Sequence, residues 1–258
     1  MKTIVITGST RGIGFAMAKS FLKKGCRVVV SGRKESNVKA IIKELAATFP
    51  DDQIAGTACD VTSIRDIQGL WDFAVKKFGT IDIWINNSGI SNALNLLPKL
   101  TAEEIKNVVE TNLLGEIYGT QIALIGFQAQ GHGAIYNMEG MGSKKGRMVD
   151  GLSIYGTTKA GLRFFNDAIA HELKDGQVLI GALLPGMMLT DMVTGQYVGK
   201  PQDWNRVKGI FYAISEDVNI VGDWMTDKIL TNKKNGVRFE YSNTFKILLR
   251  MLKHRFSA

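Results

Sequence analysis

Lys2-Thr3-Ile4-Val5-Ile6-Thr7-Gly8-Ser9-Thr10-Arg11-Gly12-Ile13-Gly14 stands at the head of the chain, and its reading decides the fold. Lys2–Thr7 is rich in β-branched residues and reads as a strand buried on both faces. Ile13–Lys24 then has helical periodicity and stops at Gly25, where a left-handed residue suits a helix end. Between them lie Gly8, Gly12 and Gly14. Glycine lets a backbone turn sharply and approach a ligand closely, and a helix N-terminus favours negative charge. A glycine triad alone is weak evidence, because a tight turn also uses glycine. At a strand-to-helix junction it is a phosphate cradle. The reading therefore lays a pyrophosphate over Gly8, Ser9, Thr10, Arg11, Gly12, Ile13 and Gly14.

Outward from this unit the pattern repeats. Strands are expected at Arg27–Val30, Ile54–Ala58, Ile81–Ile85, Ala134–Met138 and Val178–Leu184. Helices are expected at Ser36–Phe49, Ser63–Phe78, Thr101–Phe127 and Tyr155–Leu173, the third opened by the capping-box spacing of Thr101 and Glu104. Apolar strands separated by single helices make a parallel sheet covered on both faces. The fold class is α/β: one domain over residues 1–258, a doubly wound, Rossmann-like parallel sheet. A segment at about 187–230 lies outside the strand–helix rhythm and is placed to cover a ligand. It holds Met187, Met188, Met192, Tyr197, Trp204, Phe211, Tyr212 and Trp224.

The remaining composition mostly excludes. The chain has 258 residues, 45% hydrophobic, with a net charge of +8. That charge is scattered and lacks a nucleic-acid-binding pattern, so no nucleic-acid partner is expected. The two cysteines, Cys26 and Cys59, make neither a metal site nor a disulfide framework. His132 and His171 lack partners at metal-ligand spacing, so no metal is expected. No apolar run is long enough to span a bilayer. The expectation is a soluble, cytoplasmic protein, with a plastid location only if a transit peptide has been removed. A basic amphipathic helix at about 245–256 suits packing on the protein itself, or peripheral contact with an anionic membrane.

Two features point to redox chemistry. Strand two ends Val30-Ser31-Gly32-Arg33-Lys34, without the carboxylate that would bind the ribose 2′-hydroxyl of NAD. Arg33 and Arg11 could instead pair with a 2′-phosphate, so the cofactor expected is NADP(H). Further on, Tyr155 and Lys159 stand four apart at a helix start and share a face. An ammonium beside a phenol stabilises the phenolate and is expected to lower its pKa, which allows acid–base work on a carbonyl or alcohol oxygen.

The glycine loop, Asn86-Asn87-Ser88-Gly89, Asn112, Tyr155 with Lys159, and Pro185-Gly186 occur in this order and resemble the short-chain dehydrogenase/reductase family over nearly the whole chain. The resemblance implies an oxidoreductase in which Tyr155 is the acid/base and Lys159 also binds the nicotinamide ribose. It implies that Asn112 holds a water in a proton relay to Lys159. Asp60 and Val61 would flank the adenine, Asn86 and Gly89 would line the cofactor cleft, and Pro185, Gly186 and Thr190 would cradle the nicotinamide. Relatives commonly pair through the helices at Thr101–Phe127 and Tyr155–Leu173, so a homo-oligomer is expected. One position departs from the pattern. The serine that usually bonds the substrate oxygen is Gly140 here, and Ser143 is the nearest replacement, with Ser153 a weaker one.

The stretches Tyr136–Ser143 and Pro185–Asp191 are similar to one branch of the family, the chlorophyll(ide) b reductases, in which glycine likewise replaces that serine. That branch implies NADPH-dependent reduction of a bulky aldehyde, the 7-formyl group, to an alcohol. Two other readings stand beside it: a dehydrogenase or reductase acting on a sterol, sugar or acyl intermediate, and a non-catalytic NADP-binding sensor or scaffold.

Overall fold

The computed structural model describes residues 1–144, 148–174 and 176–242. One sheet of seven parallel strands runs β3-β2-β1-β4-β5-β6-β7. The strands are β1 (Thr3–Ile6), β2 (Arg27–Gly32), β3 (Ile54–Ala58), β4 (Ile83–Asn86), β5 (Gly133–Met138), β6 (Val178–Leu184) and β7 (Val237–Glu240). The order reverses between β1 and β4. There the connecting loops diverge and leave a crevice at the strands' carboxyl ends.

Helices cover both faces. On one side α1 (Gly12–Lys23), α2 (Glu35–Ala46) and α9 (Val218–Thr231) pack Phe21, Leu45, Val221 and Met225 against β1, β2 and β6. On the other, α3 (Ile64–Phe78), α5 (Gly115–Gln130) and α6 (Ser153–Glu172) enclose Trp71, Trp84 and Phe127. The rings of Trp71 and Phe127 meet edge to face at 5.2 Å between centroids. Such packing is accessible because α5 has no Cβ at Gly126, where one would run into the Trp71 ring.

Two sequence expectations change. The predicted helix at Thr101–Phe127 is α4 (Ala102–Val109), a single π-turn over Glu110–Leu114, then α5. The capping box forms as predicted, with Thr101 and Glu104 each bonding the other's backbone N–H. The segment at 187–230 is not one insertion. Helix α9 is an ordinary crossover helix, pressed so closely on α1 that a Cβ at Gly222 would lie 2.9 Å from that of Ala16. It leads into β7, which the sequence did not show, since Val237-Arg238-Phe239-Glu240 is a half-buried edge strand without a continuous apolar run. Trp224 accordingly packs on Tyr241 at 5.3 Å between ring centroids, in the α9 layer. Within that segment α7 (Asp191–Thr194) and α8 (Pro201–Ile214) lie outside the layers, and neither contributes a buried side chain. Tyr197, Trp204, Phe211 and Tyr212 form an aromatic cluster there. The predicted helix at 245–256 lies outside the described residues.

Cys26 and Cys59 are free and buried, and burial pushes the Cys59 thiol up to about 12. Among the described residues no helix is long and apolar enough to cross a membrane, and no cluster of side chains could hold a metal ion.

Candidate active site

The loop after β1 needs its glycines. Gly8 and Gly12 have φ of 61° and 58°, the left-handed region that a side chain disfavours. At Gly14 a Cβ would run into the Asn87 side-chain amide and lie 2.7 Å from the Gly8 carbonyl oxygen. The loop is tied down from beneath. The Ser9 hydroxyl donates to the Ile6 carbonyl at 2.8 Å and accepts from the Ser31 N–H at 2.9 Å. Asn87 Nδ2 donates to the carbonyls of Thr7 and Gly8 at 2.8 and 3.0 Å. Ser9 is therefore buried under the loop, and what faces a ligand is backbone. Helix α1 begins with no side-chain cap and no acid in its first turn. Its first N–H groups and the positive end of its dipole suit an anionic ligand, so this cradle fits a pyrophosphate.

Arg33 lies exposed just past β2, and the next acid, Glu35, opens α2 and pairs with Lys39 at 2.7 Å. Arg11 pairs with Asp191 at 3.2 Å, where the two side chains are 74% and 72% exposed. An ion pair so open to water is weak and leaves the guanidinium free to exchange partners. Thr190, before α7, approaches Gly12, whose Cβ would lie 3.9 Å from its methyl. Asp60 holds the turn ahead of α3, its Oδ1 accepting from the Thr62 N–H and hydroxyl at 3.0 and 2.8 Å. Val61 is buried against Gly115. Pro185 is buried after β6, and Gly186 turns the chain at φ 81°.

Tyr155 and Lys159 lie one turn apart near the start of α6, at the ends of β4 and β5. Lys159 Nζ donates to the Met138 carbonyl at 2.6 Å and to Glu116 Oε1 at 2.8 Å. Glu116 comes from α5 and was not anticipated. Burial pushes its carboxyl up to about 7, and Lys159 offsets only part of that. Burial is the largest influence on Lys159 and works against its charge, but Glu116, Tyr155 and Glu139 together outweigh it and hold the lysine above its usual value. The expected lowering of Tyr155 is overturned. Burial raises its pKa, Lys159 pulls it down, and Glu116 adds to the rise.

The tyrosine hydroxyl fills the space at Gly140, where a Cβ would lie 2.6 Å from Oη. The missing serine is thus more than a lost hydroxyl, because its side chain would collide with the tyrosine as it stands. Ser143 Oγ donates to the Gly140 carbonyl at 2.6 Å, and the Ser143 carbonyl accepts from Arg163 at 2.9 Å. Its proton is committed within its own turn. Ser153 is exposed at the start of α6.

Asn112 sits in the π-turn. Its Oδ1 accepts from the Ile90 N–H at 2.8 Å, and its Nδ2 donates to the Ile90 carbonyl at 2.8 Å and to Thr158 Oγ1 at 3.4 Å. The side chain ties the β4 loop to α6 and does not reach Lys159. Gly89 lies next to it, where a Cβ would be 3.5 Å from Asn112 Oδ1. Asn86 does not line the cleft. It is buried beneath it, accepting from Trp84 Nε1 at 2.8 Å and donating to Asn137 Oδ1 at 2.8 Å and Thr120 Oγ1 at 3.2 Å. Its neighbour Asn87 is the residue that touches the glycine loop. The signal for Glu116 was present but unused: it is the one charged residue in Leu113–Leu124, one helical turn after Asn112.

The model of the family described as short chain dehydrogenase matches residues 2–199. A probable chlorophyll(ide) b reductase of Arabidopsis thaliana is 34% identical over 96% of this chain and 52% of its own length. Carbonyl reductase family member 4 of Xenopus laevis is 32% identical over 75% of this chain and 78% of its own. The chain thus spans about half the length of the chlorophyll(ide) b reductase from Arabidopsis. Among solved structures, an actinorhodin polyketide ketoreductase with NADPH superimposes with a TM-score of 0.79 at 25% identity, over 93% of this chain and 95% of that one. Levodione reductase superimposes with 0.86 at 22% identity, over 95% and 97%. With the family model covering the glycine loop, the Asn86–Gly89 turn, Tyr155 with Lys159 and the Pro185–Thr190 stretch, this chain belongs to the short-chain dehydrogenase family.

Proposed function

We propose that this chain is an NADP(H)-dependent oxidoreductase that reduces the carbonyl of a bulky substrate to an alcohol, with the 7-formyl group of chlorophyll(ide) b as the first candidate. The observation that carries the reading is the pair of half-buried Tyr155 and buried Lys159, one helical turn apart beside a glycine cradle at the sheet's switch point. Gly8, Gly12, Ile13 and Gly14 would hold the pyrophosphate, with Asp60 and Val61 near the adenine. Arg33, and Arg11 released from Asp191, would take the 2′-phosphate. Gly89, Pro185, Gly186 and Thr190 would border the nicotinamide, and Lys159 its ribose. When bound, the reduced cofactor supplies the hydride.

This chain's residues supply the proton. As the carbonyl carbon gains hydrogen, the Tyr155 O–H bond breaks and the alcohol O–H forms. Lys159 stabilises the phenolate and can return a proton to it. A relay through Asn112 would use its backbone, since the side-chain amide is occupied by Ile90 and Thr158. A π-turn suits this, because it breaks the regular i to i−4 bonding of the helix. Gly140 offers no second donor and Ser143 is turned to its own loop, so polarising the carbonyl falls to Tyr155. The aromatic cluster of α8, with Met187 and Met192, gives an adaptable apolar wall for a wide substrate. Ile125 on α5 and Phe164 on α6, 60% and 77% exposed, favour pairing of two copies through these helices.

The substrate class rests on the names of relatives. A 3alpha-hydroxysteroid dehydrogenase of Mediterraneibacter gnavus, 30% identical over 74% of this chain, favours a sterol as the second candidate. The test is to offer chlorophyllide b with NADPH, and separately with NADH, while following pigment absorption and cofactor oxidation. Reduction with NADPH that Tyr155→Phe abolishes, by about 10²–10⁴-fold, supports the reading. Arg33→Ala should weaken NADPH and leave NADH unchanged. A Tyr155→Phe variant with full biological activity would mean a sensor or scaffold instead.

A further inference from the structure

Glu116 is an unusual neighbour for a working lysine. It is buried on α5 with its side chain 2% exposed, and its partner Lys159 is 4% exposed. One oxygen is held by Lys159, while Oε2 is buried without a hydrogen-bond partner. An orphaned carboxylate oxygen in a dry site costs stability, of the order of 1–3 kcal/mol. A core position would be served better by leucine. Lys159 moreover has a second acceptor in the Met138 carbonyl, so the carboxylate is not needed to satisfy it.

The other charges facing this carboxylate are accounted for. Lys159 and Tyr155 approach from α6. Glu139, just past β5, is neutralised by Arg238 of β7 at 2.9 Å, and Arg238 is shared with Asp167 of α6 at 3.0 Å. Glu116 is therefore the acid acting directly on the Tyr155/Lys159 pair.

We infer that Glu116 is a positioning residue that cancels part of the Lys159 charge at Tyr155, keeps the tyrosine as phenol, and so extends to higher pH the range over which the site can reduce a carbonyl. The inference rests on the Tyr155/Lys159 reading above. Its physics is Coulombic. A lone ammonium favours phenolate, the form that accepts a proton from an alcohol. An ammonium paired at 2.8 Å presents a dipole instead, whose field falls off faster. In the reductive direction the phenol must hold its proton until the carbonyl oxygen takes it. Glu116 also raises the pKa of Tyr155 and of Lys159 alike, in keeping with this arrangement.

The test is Glu116→Gln, which keeps the acceptor for Lys159 and removes the charge. Tyr155 ionisation is read from ultraviolet phenolate absorbance as a function of pH, in the full chain, with the Tyr155→Phe spectrum subtracted. This readout needs neither substrate nor turnover. The expected result is that phenolate forms at lower pH in Glu116→Gln than in wild type. With a carbonyl substrate that the enzyme reduces, the pH above which reductive kcat/KM falls should move down by about one unit in Glu116→Gln, a tenfold change in proton concentration at the midpoint. Glu116→Asp, which keeps the charge, should titrate nearer to wild type. Should Glu116→Gln not fold, Glu116→Met removes the charge at similar volume and is measured in its place.

An unshifted Tyr155 titration in a folded, NADPH-binding variant would overturn the inference. So would a Glu116→Asp variant that titrates like Glu116→Gln, since that would mean simple packing. If Tyr155→Phe retains turnover, the Tyr155/Lys159 reading falls and this inference with it. If Tyr155→Phe is inactive while Glu116→Gln is unshifted, only this inference falls.

Discussion

Gly140→Ser introduces the hydroxyl that the family pattern usually has at this position, and it should reduce activity. The Cβ that any side chain brings would lie 2.6 Å from Tyr155 Oη, but 3.5 Å from Cζ and 3.6 Å from Lys159 Cγ. The last two are ordinary contacts. The first falls about 0.8 Å short of a carbon–oxygen contact of about 3.4 Å. Only the far end of one side chain has to give way, so the stability cost should sit at the low end of overpacking, about 1 kcal/mol. In a chain of this size that lowers Tm by roughly 2–4 °C. The atom that gives way is the one that transfers the proton. A displacement approaching 1 Å at a reacting group costs up to about 10²-fold in rate. The assay is kcat/KM for carbonyl reduction beside thermal unfolding, for Gly140→Ser and Gly140→Ala together. Equal losses in the two variants identify the Cβ as the cause. A Gly140→Ser variant faster than wild type would refute the reasoning, because Tyr155 could not then occupy that space.

Other substitutions separate support from contact. Asn86→Ala should cost about 1–3 kcal/mol in denaturant unfolding, since it strands Trp84 Nε1 in the core, while Asn137 keeps Thr120 and Asn166. Asn87→Ala should instead raise the Kd for NADPH with a smaller loss of stability, because it frees the glycine loop from beneath. Gly126→Ala should destabilise by more than 3 kcal/mol despite alanine's better helix propensity, as its methyl meets the Trp71 ring; wild-type stability in urea would contradict the packing of α5 on α3. The raised Glu116 carboxyl predicts a pH effect. Its folded value of about 7 exceeds the unfolded value of 4.5, so it contributes stability that is full below pH 4.5 and lost as pH rises through about 7. The stability difference between wild type and Glu116→Gln should therefore shift against wild type over that window; a pH-independent difference would mean that Glu116 does not titrate there.

Glycine conformations, strand apolarity and helix capping are local properties, and the chain states them openly. The first βαβ unit, the capping box at Thr101 and the turn of Tyr155 to Lys159 could be read directly, and with them the parallel α/β fold. What the sequence could not decide was which way a side chain faces when its neighbours come from distant elements. Asn86 and Asn87 are adjacent and identical, yet Asn86 ends β4 facing the core, while Asn87, just past the strand, reaches the glycine loop. β7 was hidden because an edge strand needs no continuous apolar run. Glu116 is a lone charge in an apolar stretch of the sequence, and only the tertiary contact between α5 and α6 makes it the partner of Lys159. The sign of the Tyr155 shift follows the same logic. Four-residue spacing brings the lysine to the tyrosine, but burial and the third charge are set by elements far away in sequence. Electrostatics in a dry site depends on all of the charges there, and only the tertiary structure brings those together.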